Sequence, residues 1–255
     1  MNPFSDYQAA PDLLAGRTIL VTGASQGVGR AVALAYARHG ATVVLLARNV
    51  KKLEAVYDEI LAQGGAEPAA IPFDLLTASD SDMDAVALKI YQELGGLDGI
   101  VHCASHFYAL SPLVNQTLDE WLNQFRINTA APAALTRACL PLLKRSADAS
   151  VIAVGEAHGV HPKAYWGGFA VSHAGLSHWV NIAASEWDDQ PSLRINLLVP
   201  GPVQSPQRVR THPGEAKIEV PPVETILPAF LYWMGADSRG RSGNIVELNQ
   251  QQPQR

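Results

Sequence analysis

The sequence predicts a doubly wound α/β domain, in which a parallel β-sheet carries helices on both faces. Short runs rich in β-branched residues alternate with longer amphipathic stretches along the whole chain. The short runs are almost continuously apolar, which is typical of parallel strands that are covered on both sides. No stretch rich in Pro, Gly or Ser divides the sequence, so we predict a single domain over residues 1–255.

The first half of the chain contains four predicted strands separated by helices. The apolar, β-branched runs predict strands over residues 17–24, 41–48, 69–75 and 97–104. The amphipathic stretches between them predict helices over residues 28–40, 50–64 and about 78–94. Gly40 and Gly64 provide stop signals for the first two helices. Before the first strand, residues 1–13 are expected to form a flexible arm.

The second half continues the alternation with three strands and three helices. Strands are predicted over residues 149–155, 192–201 and 243–249. Helices are predicted from Leu118 to about Lys144, over residues 164–179 and around residues 224–235. Residues 249–255 are expected to form a polar tail.

The composition limits the classes of function. The net charge of −5 disfavours nucleic acid or an anionic membrane as a general partner. No segment approaches the ~18–20 apolar residues that cross a bilayer, and the N-terminus lacks the pattern of a secretory signal. The two cysteines, Cys103 and Cys139, form neither a disulfide framework nor a metal-ligand spacing, and they favour a reducing, cytoplasmic location.

A glycine-rich turn, TGASQGVG at residues 22–29, separates the first strand from the first helix. Glycines let the chain turn sharply and approach a diphosphate, which the free N–H groups at the helix N-terminus can bind. A tight turn without a ligand is the alternative, but the preceding strand and following helix favour nucleotide binding. The predicted contacts are Gly23, Ser25, Gln26, Gly27, Val28 and Gly29.

The end of the second strand indicates which dinucleotide is bound. An acidic residue there suits a ribose 2′-hydroxyl, whereas a basic residue suits a 2′-phosphate. This sequence has Ala47 followed by Arg48 and no carboxylate until Glu54, so NADP(H) is favoured over NAD(H). A solvated surface charge is the alternative role of Arg48. Asp74, after the third strand, either accepts from the adenine amino group or serves as a cap or turn residue.

The pattern resembles the short-chain dehydrogenase/reductase family from Leu14 to Leu248. The resemblance is carried by the glycine turn, Asp74, Asn128 in FRINTAAPAALTRACLPLL, VPGPVQS after the sixth strand, and Gly243. It implies a Rossmann-type domain with seven parallel strands, a nicotinamide cofactor, a small-molecule substrate and a homodimer or homotetramer. It also implies a substrate lid over residues 204–222. Further cofactor contacts are implied for Ala104, Asn128, His173, Pro200 and Gly201.

The catalytic tetrad of that family is largely replaced in this sequence. The family uses an Asn, a Ser, and a Tyr and Lys four residues apart on one helix. The stretch AVSHAGL aligns with that helix, so Phe169 stands at the Tyr position and His173 at the Lys position. Thirteen residues before Phe169, Glu156 stands at the Ser position, and only Asn128 remains. The departures therefore collect around the nicotinamide, while the adenosine and diphosphate half is intact.

These replacements change the chemistry that is expected. Phe169 cannot exchange a proton, and loss of a positioned acid or base typically costs ~10²–10⁴ in rate. Glu156 opposes a developing oxyanion and could instead pair with His173, which could still donate to a ribose hydroxyl. Tyr165 is a candidate substitute acid if the helix already runs there, with a wall residue beside Trp166 as the alternative.

Two other clusters of charged or imidazole side chains are present in the sequence. Glu156, His173 and the His-x-x-His pair His158 and His161 resemble zinc ligands, but this spacing is unspecific and no metal is predicted. In the predicted lid, Arg208, Arg210 and Lys217 would form a basic mouth, with a solvated loop as the alternative.

Two functions therefore remain open. The first is an NADP(H)-dependent oxidoreductase of the short-chain type in which the usual carbonyl reduction is weak or absent. The second is a nucleotide-binding protein without hydride transfer that acts as a sensor, a scaffold or a heteromer partner.

Overall fold

The computed structural model describes residues 2–249, apart from the side chain of Lys217. In this range seven parallel strands form one sheet with the order β3-β2-β1-β4-β5-β6-β7. The strands are β1 (Thr18–Thr22), β2 (Thr42–Ala47), β3 (Ala69–Pro72), β4 (Gly99–His102), β5 (Ala149–Val154), β6 (Leu193–Val199) and β7 (Ile245–Glu247). The doubly wound parallel sheet is confirmed, with strands that are shorter at their ends than predicted.

Helices connect the strands on both faces of the sheet. Within the described residues they are α1 (Gly27–Arg38), α2 (Val50–Ala62), α3 (Asp80–Leu94), α4 (Leu118–Phe125), α5 (Ala131–Leu143), α6 (Ala157–Val160), α7 (Gly167–Glu186), α8 (Pro206–Thr211) and α9 (Leu227–Met234). A π-helical turn at Arg126–Ala130 joins α4 to α5, so the long helix predicted from Leu118 has the expected extent but not a regular geometry. The short helices α6 and α8 were not predicted.

Capping residues explain where several helices begin and end. In α3 the Ser79 hydroxyl accepts from the Asp82 backbone N–H, while the Asp82 carboxylate accepts from the Ser79 N–H. This reciprocal pair satisfies two N–H groups that the helix would otherwise leave free. The same helix ends at Gly95, whose φ of 77° is the left-handed conformation that glycine adopts at low cost.

Two hydrophobic cores lie on opposite faces of the sheet. Along β1, Ile19 and Val21 pack into the core that contains α1, α2 and α9, whereas Leu20 packs into the core that contains α3, α5 and α7. This alternation follows from the two-residue period of a strand. The two cores together hold the carboxyl ends of the strands in one row, which is where the candidate site lies.

The N-terminal segment differs from its prediction, because residues 2–13 pack on α9 and on the turns that flank it instead of forming a flexible arm. The Asn2 Nδ2 group donates to the Thr225 carbonyl at 2.8 Å, and the Phe4 ring lies 4.9 Å from that of Tyr232. The Tyr7 hydroxyl donates to Asp237 at 2.7 Å. These partners are more than 200 positions away in sequence, so no local pattern reveals them. Of the predicted polar tail, residues 250–255 lie outside the described residues.

Candidate functional site

A cleft of about 410 Å³ opens at the carboxyl ends of the strands. It lies where the strand order reverses, with β1 between β2 on one side and β4 on the other. Ligands of doubly wound folds bind at this switch point because the connections leave the sheet in opposite directions. The glycine turn lies at its middle, residues after β2 and β3 line one half, and residues after β4, β5 and β6 line the other.

The glycine turn has the geometry of an anion cradle. Gly23 and Gly27 have φ values of 66° and 57°, which side-chain-bearing residues rarely adopt. A Cβ atom on Gly29 would lie 2.4 Å from the Gly23 carbonyl oxygen, and one on Gly23 would lie 2.9 Å from the Ala104 Cα. The turn therefore requires glycine at these positions, and it brings bare backbone to the N-terminus of α1.

The half beside β2 and β3 carries positive charge. Arg48 is exposed and lines the cleft together with Asn49 and Lys52. Asn49 caps α2 by accepting from the Lys52 backbone N–H at 3.0 Å, and the Lys52 ammonium donates to Gln26 Oε1 at 2.6 Å. The Asp74 carboxylate also lines this half and accepts from the Leu76 N–H at 3.0 Å, which is the turn role that the sequence left open.

The opposite half contains the buried imidazole of His173. His173 is 4% exposed, and its Nε2 atom lies 3.4 Å from the Ser105 hydroxyl. Its Nδ1 atom is buried without a hydrogen-bond partner among the described residues. Burial lowers the pKa of His173 to about 4, and the attraction of Glu156 only partly opposes this. The ring is therefore neutral near pH 7.

Glu156 lines the same half and caps α6. Its carboxylate accepts from the His158 backbone N–H at 2.6 Å and lies 3.0 Å from His158 Nδ1. Burial raises the pKa of Glu156, but the hydrogen bonds from His158 and the attraction of His158 and His173 outweigh it, so the net pKa is lowered. The carboxylate is thus ionised at neutral pH, and it pairs with His158 and not with His173, the partner suggested by the sequence.

Phe169 does not line the cleft, although it occupies the Tyr position of the resemblance. It is 1% exposed and belongs to a small cluster with Phe107, Trp166 and Ala170. Its ring meets that of Phe107 at 5.1 Å, edge to face. On the other side of Trp166, the His158 ring stacks at 3.7 Å with an interplanar angle of 10°. This aromatic packing holds the first turn of α7 against the loop after β4.

Tyr165 lies outside the cleft, contrary to its proposed role as a substitute acid. The helix α7 begins at Gly167, so Tyr165 is not one helical turn before Phe169. Its backbone has a φ of 76° and its side chain is 58% exposed. Its carbonyl accepts from the Ser111 N–H at 3.1 Å, which fixes the chain in this turned conformation. Tyr165 is not among the residues that line the cleft.

Asn128 also has a different role from the predicted cofactor contact. It is 1% exposed, lies in the π-helical turn, and is not among the residues that line the cleft. Its Oδ1 atom accepts from the His106 N–H at 2.7 Å. Its Nδ2 group donates to the His106 carbonyl and the Ser172 hydroxyl, both at 3.0 Å. Because all three contacts are internal, Asn128 positions the loop after β4.

His106 lines the cleft, and its backbone is held by the two hydrogen bonds to Asn128. Its Nε2 atom is buried and has no hydrogen-bond partner in the described part of the chain. Burial and the nearby cations Arg48 and Arg210 lower its pKa. Lys52 and Ser105 line the cleft too, and the sequence reasoning missed both. The only feature of the sequence that indicates a place for Lys52 in the cleft is its position in the first turn of α2, after the capping residue Asn49.

The predicted lid, residues 204–222, contains α8 and lies against the glycine turn. A Cβ atom on Gly27 would be only 3.4 Å from Pro206 Cδ. Arg208 lines the cleft, but both its Nε and Nη2 atoms donate to Glu215 at 2.6 Å. Arg210 donates to the Phe107 carbonyl at 2.7 Å. Two of the three predicted cations are therefore committed to internal contacts, and the Lys217 side chain lies outside the described residues.

The other predicted contacts of the cofactor all line the cleft. They are Gly23, Ser25, Gln26, Gly27, Val28, Gly29, Arg48, Asp74, Ala104, His173, Pro200 and Gly201. Within residues 2–249 no group of three His, Cys, Asp or Glu side chains is placed to hold a metal ion. In the same range, no helix has both the length and the apolar character needed to cross a membrane.

Comparisons with known proteins extend over nearly the whole chain. The sequence model of a family described as short chain dehydrogenase matches residues 17–216. The chain is 36% identical over 237 residues to the oxidoreductase YciK of Escherichia coli (strain K12), described as uncharacterized, and the match covers 93% of each protein.

Solved structures agree with this match. A Pseudomonas syringae protein described as a short chain dehydrogenase superposes with a TM-score of 0.93 at 38% identity, covering 96% of this chain and 99% of that chain. A short chain dehydrogenase from Shigella flexneri 2a str. 301, solved in complex with NADP, has a TM-score of 0.91 at 35% identity. That match covers 94% of this chain and 99% of the Shigella chain.

Proposed function

Because this chain belongs to the short chain dehydrogenase family, we propose that its cleft binds NADP(H) and that the family's usual carbonyl reduction is weak or absent. The observation that carries the proposal is the burial of Phe169 in an aromatic cluster, at the position where the family has its Tyr. A phenyl ring has no proton to give, whereas reduction of a carbonyl needs one at the oxygen.

The cleft fits a dinucleotide in its middle and in the half beside β2. The turn from Gly23 to Gly29 offers backbone N–H groups to a diphosphate. Arg48 and Lys52 supply the positive charge that a 2′-phosphate requires, which supports NADP(H) over NAD(H). A similar protein solved with NADP supports the same assignment. When bound, the nicotinamide supplies hydride chemistry.

The residues of the other half are poorly suited to assist that chemistry. His173 is neutral and buried, so it can hold a hydroxyl by a hydrogen bond but contributes no positive charge. The ionised carboxylate of Glu156 disfavours an oxyanion on a nearby carbonyl. A protein with these residues acts through cofactor binding, as a sensor, a scaffold or a heteromer partner.

A second candidate function is hydride transfer with a different proton donor. The observation that favours it is the unpartnered Nε2 atom of His106, which is buried in the lining of the cleft. An imidazole at this place is able to exchange a proton with a substrate. If turnover is found, His106→Asn should remove it while leaving NADPH affinity within about threefold, since the same loop remains held by Asn128.

We also propose that the chain forms a homodimer or homotetramer. Leu118, Leu122 and Phe125 lie on one side of α4 and are 73%, 54% and 49% exposed. Helix α7 packs beside α4 and exposes Val171 and Ile182 by 52% and 58%. A second copy would cover this apolar surface in a self-complementary way. Light scattering should give a dimer or larger, and Leu122→Glu should shift it to a monomer.

The binding part of the proposal is tested by titrating the protein with NADPH and following the cofactor's fluorescence. We expect saturable binding, tighter than that of NADH. Gly29→Ala should weaken it by at least about tenfold, because the added methyl group collides with the Gly23 carbonyl. Gly96→Ala is the matched control, since a Cβ atom there meets nothing within 4 Å. Absence of wild-type binding would overturn the proposal.

A further inference from the structure

We propose that the cleft distinguishes the redox states of its cofactor and binds NADP⁺ more tightly than NADPH, through the carboxylate of Glu156. This inference rests on the proposed function, because it assumes that a nicotinamide dinucleotide occupies the cleft. It goes further by naming the ligand form that the protein prefers and the residue that sets the preference.

The two carboxylates in the described lining of the cleft lie at opposite ends. Asp74 follows β3, on the side of Arg48 and Lys52, whereas Glu156 follows β5 and lies with His173 on the other side of the switch point. Since the 2′-phosphate end is matched by the cations after β2, the nicotinamide end falls in the half that contains Glu156. The carboxylate therefore lies in the half where the two redox forms differ.

Among the described residues of that half, the hydrogen-bond partner of the Glu156 carboxylate is His158. Arg208, the cation that lines it, is bound through two hydrogen bonds to Glu215. His173 is neutral because burial lowers its pKa to about 4, and burial also lowers the pKa of His106 and His212. The imidazole in direct contact with the carboxylate is His158. The Glu156 side chain is only 18% exposed, so solvent screens it incompletely.

The two forms of the cofactor differ by one charge at the ring. The oxidised nicotinamide is a cation and the reduced ring is neutral, while the adenosine, ribose and phosphate groups are the same in both. Contacts at the glycine turn, Arg48 and Asp74 thus contribute equally to both affinities. An anion beside the ring attracts only the oxidised form, so Glu156 contributes to the difference between the affinities.

With such a preference, the protein would act as a sensor of the cofactor's redox state. When both forms compete for one cleft, the ratio of bound NADP⁺ to bound NADPH exceeds the ratio of the free forms by the ratio of the two dissociation constants. The bound couple also becomes harder to reduce, by ~30 mV for each tenfold preference in a two-electron couple. This agrees with a protein that binds the cofactor without turning it over.

The test measures dissociation constants for NADP⁺ and NADPH by calorimetry at pH 8, above the ordinary titration range of imidazole. For the wild type we expect NADP⁺ to bind about tenfold more tightly. Glu156→Gln should reduce the ratio of the two affinities by about tenfold, mainly by weakening the binding of NADP⁺. The Gln side chain keeps an oxygen that can accept from the His158 N–H, so the cap of α6 is retained. Asp74→Asn is the matched control and should change both affinities by the same factor.

Three outcomes would overturn the inference in distinguishable ways. If the wild type binds NADPH as tightly as NADP⁺ or more tightly, the inference is contradicted directly. This measurement uses only the wild type, so it tests the inference even if Glu156→Gln fails to fold. An equal effect of Glu156→Gln on both forms shows that the carboxylate does not sense the ring charge. If the wild type binds neither form, the proposed function itself fails and the inference fails with it.

Discussion

The rings of Phe169 and His173 meet edge to face, with their centroids 4.7 Å apart and an interplanar angle of 68°. Both side chains are buried, and in the proposed alignment they take the Tyr and Lys positions of the family. Edge-to-face packing stabilises the pair, but neither ring carries a positive charge or a readily transferred proton at neutral pH. In helix α7 these two side chains therefore contribute to packing beside the cleft.

The first prediction concerns the stability that this cluster provides. Phe169→Ala should lower the free energy of unfolding by about 3–5 kcal/mol, because it removes a fully buried ring and leaves a cavity. Tyr165→Phe is the control and should change it by less than about 0.5 kcal/mol, since that side chain is 58% exposed. Urea unfolding measures both. If Tyr165→Phe abolished cofactor binding or turnover, Tyr165 would have to be part of the functional site.

The second prediction concerns the choice of dinucleotide. Arg48→Ala should weaken NADPH binding by about tenfold to a hundredfold, because it removes a charge-assisted contact with the 2′-phosphate. The affinity for NADH, which lacks that phosphate, should change by less than about threefold. Lys51→Ala removes a neighbouring exposed charge that does not line the cleft, and it should leave both affinities nearly unchanged. A parallel loss of NADH binding would show that Arg48 serves the fold instead.

The third prediction concerns Asp148, which holds a buried network at the opposite end of the sheet. Its carboxylate pairs with the buried Arg194, with Arg17 at 3.2 Å and with Arg239 at 3.3 Å. Asp148→Asn should lower the free energy of unfolding at pH 7 by about 3–5 kcal/mol, because it leaves buried cations unpaired. Asp84→Asn, at an exposed pair with Arg137, should cost less than about 1 kcal/mol.

The difference in stability between the wild type and Asp148→Asn should depend on pH in a definite direction. Burial raises the pKa of Asp148, but the hydrogen bond from Arg194 and the attraction of Arg194, Arg17 and Arg239 outweigh it, so the pKa lies below its ordinary value. The stabilisation is therefore complete above the unfolded pKa of about 4 and is lost as the pH falls through the lower folded value. The difference between wild type and Asp148→Asn should shrink below about pH 4. A constant difference down to pH 3 would contradict this.

Much of the fold follows from local patterns, and the exceptions have physical reasons. The strands, the main helices and the parallel order depend on apolar runs and glycine stops, which the sequence displays directly. The π-helical turn at residues 126–130 depends on turning Asn128 inward to the loop after β4, which is a tertiary contact. The packing of Phe4 and Tyr7 on α9 likewise depends on residues far away in sequence.

The residues of the candidate site also fall into those that local patterns predict and those that they do not. The placement of the glycine turn and Arg48 in the cleft is predictable because it follows from their positions directly after β1 and β2. The pairing of Glu156 with His158 was not predicted, since it depends on the short helix α6 that begins directly after Glu156. The sequence left open whether the helix already includes Tyr165, and in the structure its left-handed backbone lies before the start of α7. No residue type in that stretch signals this conformation.

The most direct test of the account compares NADPH oxidation by the wild type and by the triple variant Phe169→Tyr, His173→Lys, Glu156→Ser on one broad panel of carbonyl compounds. Both proteins are first shown to bind NADPH and to be folded. The account predicts no measurable turnover by the wild type and a gain by the triple variant, which regains the proton donor, the cation and the hydroxyl. Substantial wild-type turnover that the three changes do not raise would contradict it.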